Sequence, residues 1–412
     1  MKTITKAAKF GLWWKWVGGI GLVLIVATAL NPHLPDFSQK WRLVYPLNLN
    51  GEQNLAAWWS GIVLFTAGVL FYESYCRAVD RLRLPWLLLA VLLITLSADE
   101  IGSFHERLAG WGNERGDIGG VWSTLILAAL PFAAMFVYAI AHLLSRPETR
   151  RAGGLILAGF LCFGSIGVQE FVEHAVVWPD WSRGLRAGVE EGTELLGGFL
   201  ILCGIMDRRV TPDGARSARD FGAMLPVLGR LHHLPAILLV GVLLHLGIGL
   251  FAQANFDDLA TAGNPGSWYP AVVFVLLSIA ALDKARDMPA TARLFWQVAA
   301  AVFVLCSLAA VFARMSITAD VVGLPRWLLL NFYFVYAGVA ILASVALLAG
   351  WRRSGRHLLL LVAMAAAVAV ELLLAGAAMP HLALGVFAYC AWYFFAPEPA
   401  PAVAPVKGVS TA

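Results

Sequence analysis

Long runs of apolar residues alternate with short polar connections along nearly the whole chain. A transmembrane α-helix needs about 20 predominantly apolar residues, and about twelve runs come near that length. They lie at residues 12–30, 55–76, 85–104, 121–144, 153–175, 187–206, 235–253, 268–283, 293–313, 326–349, 357–379 and 381–396. This pattern predicts an all-α, polytopic membrane protein built as a bundle of about twelve transmembrane helices.

Basic residues are concentrated in every second connection between these runs. The cytoplasmic loops of membrane proteins carry an excess of Lys and Arg. The basic connections hold Lys2, Lys6, Lys9 and Lys15; Arg77, Arg81 and Arg83; Arg146, Arg150 and Arg151; Arg208, Arg209, Arg216 and Arg219; Lys284, Arg286 and Arg293; and Arg352, Arg353 and Arg356. Their alternation predicts that both termini are cytoplasmic.

The composition excludes a soluble globular protein. Of 412 residues, 60% are hydrophobic and only 14% are charged, whereas soluble domains have about 45–50% apolar and about 25% charged residues. The net charge of +4 comes from Lys and Arg in short loops, so it sets orientation and does not indicate nucleic-acid binding. The five cysteines are isolated in or near apolar runs and predict neither a disulfide nor a thiolate metal site.

Polar segments divide the chain into parts. Residues 1–210 form an N-terminal half with six predicted helices, and residues 211–234, rich in Arg, Gly and Pro, form a cytoplasmic connection. Residues 235–397 form a second helical half with few polar groups inside its runs. The Pro-rich residues 398–412 predict a disordered tail.

Three segments place acidic residues and histidines inside or beside apolar runs of the first half. They are Ser-Ala-Asp-Glu-Ile-Gly-Ser-Phe-His-Glu at 97–106, Gln-Glu-Phe-Val-Glu-His at 169–174 and Glu-Glu-Gly-Thr-Glu at 190–194. The predicted orientation puts all three segments, together with Glu52, on the outer side of the membrane. Because ionisable groups at membrane depth are costly and usually functional, these segments predict one shared site.

Helical periodicity brings several of these side chains onto common faces. Residues 170, 173 and 174 fall within about 100° of arc, as do residues 190, 191 and 194. Asp99, Ser103 and Glu106 share a face of a continuous helix, so Glu100 and His105 join them only if the helix bends or ends at Gly102.

A bound cation would remove the repulsion between these carboxylates. Many carboxylates with few histidines resemble the ligand sets of Fe and Mn sites, and a single Zn is also compatible. We therefore predict one or two divalent ions held by Glu100, His105, Glu106, Glu170, Glu173, His174, Glu190 and Glu194. Asp99 and Glu191 are assigned catalytic, proton-handling roles, and Glu52 and Ser103 are possible additional ligands.

Three functions are compatible with this site. The first is a metal-dependent enzyme, a hydrolase or an oxidoreductase, that acts on a lipid-borne or amphipathic substrate. The second is a transporter that binds cations or protons at the same acids. The third is a structural subunit in which a metal clamps helices together. For Glu190 and Glu191 alone, charge compensation at a helix start is an equally good explanation.

Three motifs of the first half resemble those of a family of uncharacterised bacterial multi-pass membrane proteins. They are Gly51-Glu52-Gln53-Asn54 with Trp58-Trp59-Ser60, Ser97-Ala98-Asp99-Glu100 with His105-Glu106, and Glu190-Glu191 with Glu194-Leu195-Leu196-Gly197. The family signature is S-x-D-E-x4-H-E followed by E-E-x-x-E-x-L-G. The resemblance implies a bacterial multi-pass membrane protein. For such a protein we expect a location in the inner membrane, lipids as partners, and an unidentified small-molecule or lipid-linked substrate. It implies no particular reaction.

Overall fold

The computed structural model describes residues 13–30, 55–78, 81–105, 118–179, 182–209, 265–286 and 290–312. The predicted helices at 235–253, 326–349, 357–379 and 381–396 lie outside these ranges, as do the 211–234 connection, the 398–412 tail, Glu52 and Glu106.

The described residues form eight α-helices and no strand. These are α1 (Trp13–Leu30), α2 (Leu55–Arg77), α3 (Arg83–Gly102), α4 (Ile118–Leu144), α5 (Pro147–Ala175), α6 (Arg183–Arg209), α7 (Pro265–Arg286) and α8 (Ala290–Phe312). Each helix coincides with one of the apolar runs to within a few residues. The prediction of an all-α fold is therefore confirmed for the part of the chain that the structure describes.

Four of these helices are long and apolar enough to cross a membrane. The candidate spans are Leu55–Cys76 in α2, Arg83–Gly102 in α3, Leu125–Leu144 in α4 and Pro147–Gln169 in α5. Shorter apolar stretches occupy Lys15–Ala27 in α1 and Trp296–Leu308 in α8. Length and composition therefore indicate a membrane protein.

Helices α2 to α6 form a closed ring in which each helix packs against the next and α6 returns to α2. The ring core consists of Val63, Leu64, Ala67, Leu70 and Phe71 of α2, Trp86, Leu89, Ala90 and Leu93 of α3, Ala139, Ile140 and Leu143 of α4, Ile156 of α5, and Ile201, Leu202, Ile205 and Met206 of α6. Within a membrane such helices associate through close van der Waals packing.

Glycines bring neighbouring helices of the ring into close contact. A Cβ atom added to Gly159 of α5 would lie 2.5 Å from the carbonyl oxygen of Gly197 of α6. A Cβ atom on Gly61 of α2 would lie 2.8 Å from the Ile101 side chain of α3. Any larger residue at these positions would push the helices apart.

The remaining helices pack outside the ring. Helix α1 lies along α6, and the α7–α8 hairpin packs on α2 and α3. Two indole N–H groups join the hairpin to the ring: Trp58 donates to Ser307 Oγ at 2.9 Å, and Trp268 donates to Ser97 Oγ at 2.9 Å.

The ring has two chemically different ends. We call one the basic end, where α3 begins and α4 meets α5, because it carries Arg83, Arg146, Arg150 and Arg151. The other, which we call the acidic end, is where α3 and α5 finish and α2 and α6 start. The buried core described above occupies the half of the ring nearest the basic end. Large apolar side chains of α4 and α5 are exposed along most of the length of these helices, for example Leu127, Val137 and Leu161.

Candidate site at the acidic end

The last turn of α3 lies beside the first turns of α2. The Ser97 hydroxyl donates a hydrogen bond to the Gly61 carbonyl oxygen at 2.6 Å, and Gly61 also faces Ile101. Glu100 follows Ser97 by three residues and the core residue Leu93 by seven, so it lies on the side of α3 that faces the ring. Its side chain is half-buried.

Helix α6 runs parallel to α2 and brings its acids to the same level. Leu195 of α6, Ala56 of α2 and Leu24 of α1 form one buried cluster, and a Cβ atom on Gly198 would lie 3.4 Å from Val63. Glu191 and Glu194 precede Leu195 and Gly198 by four residues each, so both acids lie on the side of α6 that faces α2. The acidic segments of α3 and α6 therefore meet the same two turns of α2.

Helix α5 reaches this level from the opposite direction. The Gln169 amide nitrogen donates to Thr193 Oγ1 at 3.3 Å, which sets the two antiparallel helices in register near their ends. The last turns of α5, residues 170–174, therefore lie beside the first turns of α6. Glu190 precedes Thr193 by three residues and lies on the side of α6 that faces α5.

Asp99 and His105 form the best-defined polar pair of the site. Helix α3 ends at Gly102, and Ser103 adopts a left-handed conformation with φ of 49° while its N–H donates to the Asp99 carbonyl oxygen at 2.6 Å. This turn brings His105 back to Asp99. The His105 backbone N–H donates to Asp99 Oδ1 at 2.8 Å, and its Nδ1 lies 3.0 Å from Asp99 Oδ2.

The pair has a defined chemical consequence. A carboxylate can only accept, so the tautomer that fits this geometry carries its proton on Nδ1 and has a lone pair on Nε2. Metal-binding histidines in proteins are commonly oriented by a carboxylate in this way. The two side chains are 26% and 48% exposed, so the pair lies at the edge of the ring and not in its core.

The described side chains do not complete a metal site by themselves. Six of the ten predicted site residues have described side chains: Asp99, Glu100, His105, Glu190, Glu191 and Glu194. Among all described residues, no three His, Cys, Asp or Glu side chains lie close enough together to hold a metal ion. Glu106 and the side chains of Glu170, Glu173 and His174 fall outside the described set. The structure thus brings the acidic segments of α3, α5 and α6 to one level. Among the described side chains it shows the Asp99–His105 carboxylate–imidazole pair.

Ser103, a predicted additional ligand, has a backbone role. It is 2% exposed and forms the left-handed turn that closes α3. The conditional prediction about Gly102 is thereby resolved, because the helix does end there.

Ser60 and Glu73 are buried polar residues of α2 that received no site role from the sequence. Ser60, near the acidic end, is 1% exposed, and Glu73, near the basic end, is 3% exposed. Glu73 could have been found from the sequence, because it is an acidic residue inside an apolar run. Ser60 stood out only as part of the Trp58-Trp59-Ser60 motif, because a single serine in an apolar helix usually bonds its own backbone.

The surface beside the site is apolar. Phe171 and Leu185 are more than half exposed and Val177 is fully exposed in the α5–α6 turn. In the same turn the Arg186 guanidinium lies 5.7 Å above the Trp178 ring, an arrangement typical of a membrane–water interface.

Residues 17–208 match the model of a family described as a domain of unknown function (DUF8692). No curated protein and no solved structure matches the chain. The matched segment covers nearly all of α1 to α6 and therefore includes the whole ring and the acidic end. Over these residues the chain is similar to an uncharacterised family. The signature motif and the bacterial origin that the sequence suggests stay predictions.

Proposed function

We propose that this protein is a membrane metalloenzyme whose active site lies at the acidic end of the ring. The observation that carries the proposal is the Asp99–His105 pair, with Nδ1 3.0 Å from the carboxylate, at the level of the acidic segment of α6. Such a pair supplies a neutral, oriented imidazole for a metal ion through Nε2.

The proposed ligand set comes from α3, its extension and the facing ends of α5 and α6. It consists of Glu100, His105, Glu106, Glu170, Glu173, His174, Glu190 and Glu194, holding one or two ions of Fe, Mn or Zn. Bound metal would supply Lewis acidity and an activated water. Asp99 and Glu191 would orient the imidazole and move protons. Support comes from the register, which puts the ends of these helices at one level.

The proposed substrate is lipid-borne or amphipathic. The exposed apolar residues beside the site, such as Phe171, Val177 and Leu185, would let such a substrate approach from the bilayer.

The proposed setting is the bacterial inner membrane, with about twelve spans and both termini in the cytoplasm. The basic end carries more arginines than the acidic end, where Arg183 and Arg186 lie, and this excess supports the orientation because Lys and Arg are enriched on the cytoplasmic side. The acidic end then opens on the outer face.

The test is metal content. Full-length protein purified in detergent without added chelator should contain one or two metal ions per chain by elemental analysis. His105→Ala should lower that content by at least half, and the double variant Glu170→Gln/His174→Ala should abolish it. The matched control is His142→Ala at the basic end, because His142 Nδ1 lies 2.9 Å from the Tyr138 carbonyl oxygen in an equally local arrangement. Equal metal content in wild type and all three variants would reject the proposal.

The second candidate is a transporter coupled to cations or protons. The specific observation in its favour is Glu73, a carboxyl group that is 3% exposed inside a candidate membrane span, away from the acidic end. Acids buried at two depths are typical of proton or ion pathways. Ion flux into proteoliposomes that is lost in Glu73→Gln, combined with purified protein free of metal, would favour transport over catalysis.

A further inference from the structure

The Ser60 hydroxyl is buried in a conformation in which it makes no hydrogen bond to the described residues. Its side chain is 1% exposed, and its Oγ has no hydrogen-bond partner among the residues that the structure describes. Other hydroxyls on the same helix bond the carbonyl oxygen four residues earlier, as Thr66 does to Ile62 at 2.8 Å and Ser74 does to Leu70 at 3.0 Å. Burying a hydroxyl without a hydrogen bond is unfavourable, so alanine would be the better residue for packing alone.

The hydroxyl lies on the side of α2 that faces α6. Ser60 follows Ala56 by one turn and precedes Leu64 by one turn, so the three residues form one stripe. Ala56 belongs to the same buried cluster as Leu195 of α6 and Leu24 of α1, and a Cβ atom on Gly198 would lie 3.9 Å from Leu64. Ser60 therefore lies one turn from the Gly198 contact, toward the acidic end.

Glu194 lies at the level of Ser60, because Ser60 precedes Leu64 by four residues and Glu194 precedes Gly198 by four residues in two parallel helices. Glu191 lies about one turn further toward the acidic end, and its Oε2 atom is shielded from solvent. The buried Ser60 hydroxyl therefore lies on the side of α2 that faces the acidic segment of α6.

We propose that Ser60 Oγ is a neutral ligand of a hard divalent cation that is bound between α2 and α6 with Glu194, next to Glu191. This inference rests on the proposed function and narrows it to a hard ion such as Mn²⁺, because oxygen ligands suit hard ions whereas soft ions such as Cd²⁺ prefer thiolates. It also explains why a hydroxyl is kept at a position where packing favours alanine.

Mn²⁺ binding to full-length protein in nanodiscs, measured from the EPR signal of free Mn²⁺, tests the assignment. Ser60→Ala should weaken Mn²⁺ binding by about tenfold or more, while its unfolding temperature without metal stays equal to or above that of wild type. Loss of binding together with a lowered unfolding temperature would mean that Ser60 is structural, and the inference would be rejected.

A change of donor atom gives a second, independent readout. Ser60→Cys puts sulfur at nearly the same place, so it should weaken Mn²⁺ binding and strengthen Cd²⁺ binding relative to wild type. Thr66→Cys is the control, because Thr66 is a buried hydroxyl on the same helix that is satisfied by its own backbone. An equal gain in Cd²⁺ affinity in both variants would overturn the assignment.

The outcomes separate this inference from the function on which it rests. If wild-type protein binds no Mn²⁺, Fe²⁺ or Zn²⁺, the metalloenzyme proposal and the inference both fail. If wild type binds Mn²⁺ and His105→Ala weakens that binding while Ser60→Ala leaves it unchanged, only the role of Ser60 is rejected.

Discussion

At the scale of the residue, Asp99 combines two tasks in one carboxylate. One oxygen accepts the His105 backbone N–H, which closes the turn after α3, and the other faces the imidazole. Asp99→Asn keeps the size, but its amide nitrogen can only donate to Nδ1, so the imidazole proton moves to Nε2 and the lone pair that would bind metal is lost. We expect a loss of metal affinity of about 10–100-fold with little change in unfolding temperature, because both side chains are partly exposed. Metal titration and thermal unfolding of the same samples measure the two effects.

The control for Asp99 is Glu148→Gln, which removes a negative charge from an exposed position in the first turn of α5 at the basic end. A comparable loss of affinity in this control would show that net charge, and not the geometry of the pair, governs binding.

The limits of sequence reasoning are also clearest at single residues. That acids collect at helix ends is visible from periodicity alone. The return of His105 to Asp99 depends on one left-handed residue, Ser103, a conformation that residues other than glycine adopt only occasionally. The role inferred for Ser60 depends on its hydroxyl not bonding the carbonyl oxygen of its own helix, and this conformation is set by packing against the facing helix. Neither feature has a local pattern.

At the scale of the element, close contact between α5 and α6 fixes the level of the site. Gly159→Ala would place its Cβ 2.5 Å from the Gly197 carbonyl oxygen, so the helices would have to separate. We expect destabilisation of about 1–3 kcal/mol, typical of overpacking, and weaker metal binding because the ends of the two helices shift. Denaturant titration in mixed micelles measures the first effect. Gly154→Ala on the same helix meets no atom within 4 Å and should be neutral or slightly stabilising.

The α7–α8 hairpin docks on the ring through a buried relay. Trp58 donates to Ser307, whose hydroxyl in turn donates to the Ala271 carbonyl oxygen at 2.8 Å. Ser307→Ala leaves a buried indole N–H without its acceptor, which costs about 1–3 kcal/mol. In a Trp58→Phe background the same substitution should cost clearly less. Unfolding of the four proteins of this cycle measures the coupling, and equal costs in both backgrounds would contradict the relay.

At the scale of the whole molecule, the number and bounds of the described helices follow from hydropathy, because each helix in a membrane must satisfy its own backbone and so matches an apolar run. Their arrangement does not. Helices such as α2 are nearly equally apolar on every face, so the sequence does not indicate which faces pack together. The order of helices in the ring and the contact between α6 and α2 instead depend on glycine positions and on how side-chain shapes fit in the folded protein. The division of charge, with an excess of arginines at the basic end and of acids at the acidic end, is a property that both the sequence and the folded structure show.

That division also makes a prediction about sidedness. If the arginines hold the basic end in the cytoplasm, the α5–α6 turn faces outward and the α4–α5 turn faces inward. In a variant whose native cysteines are replaced by serine, Val177→Cys should react with a membrane-impermeant maleimide in intact cells, because Val177 is fully exposed. Ser145→Cys, in the exposed turn between α4 and α5, should react only after the cells are opened. The reverse result would place the acidic end in the cytoplasm, and the substrate would then have to be supplied from the inner leaflet.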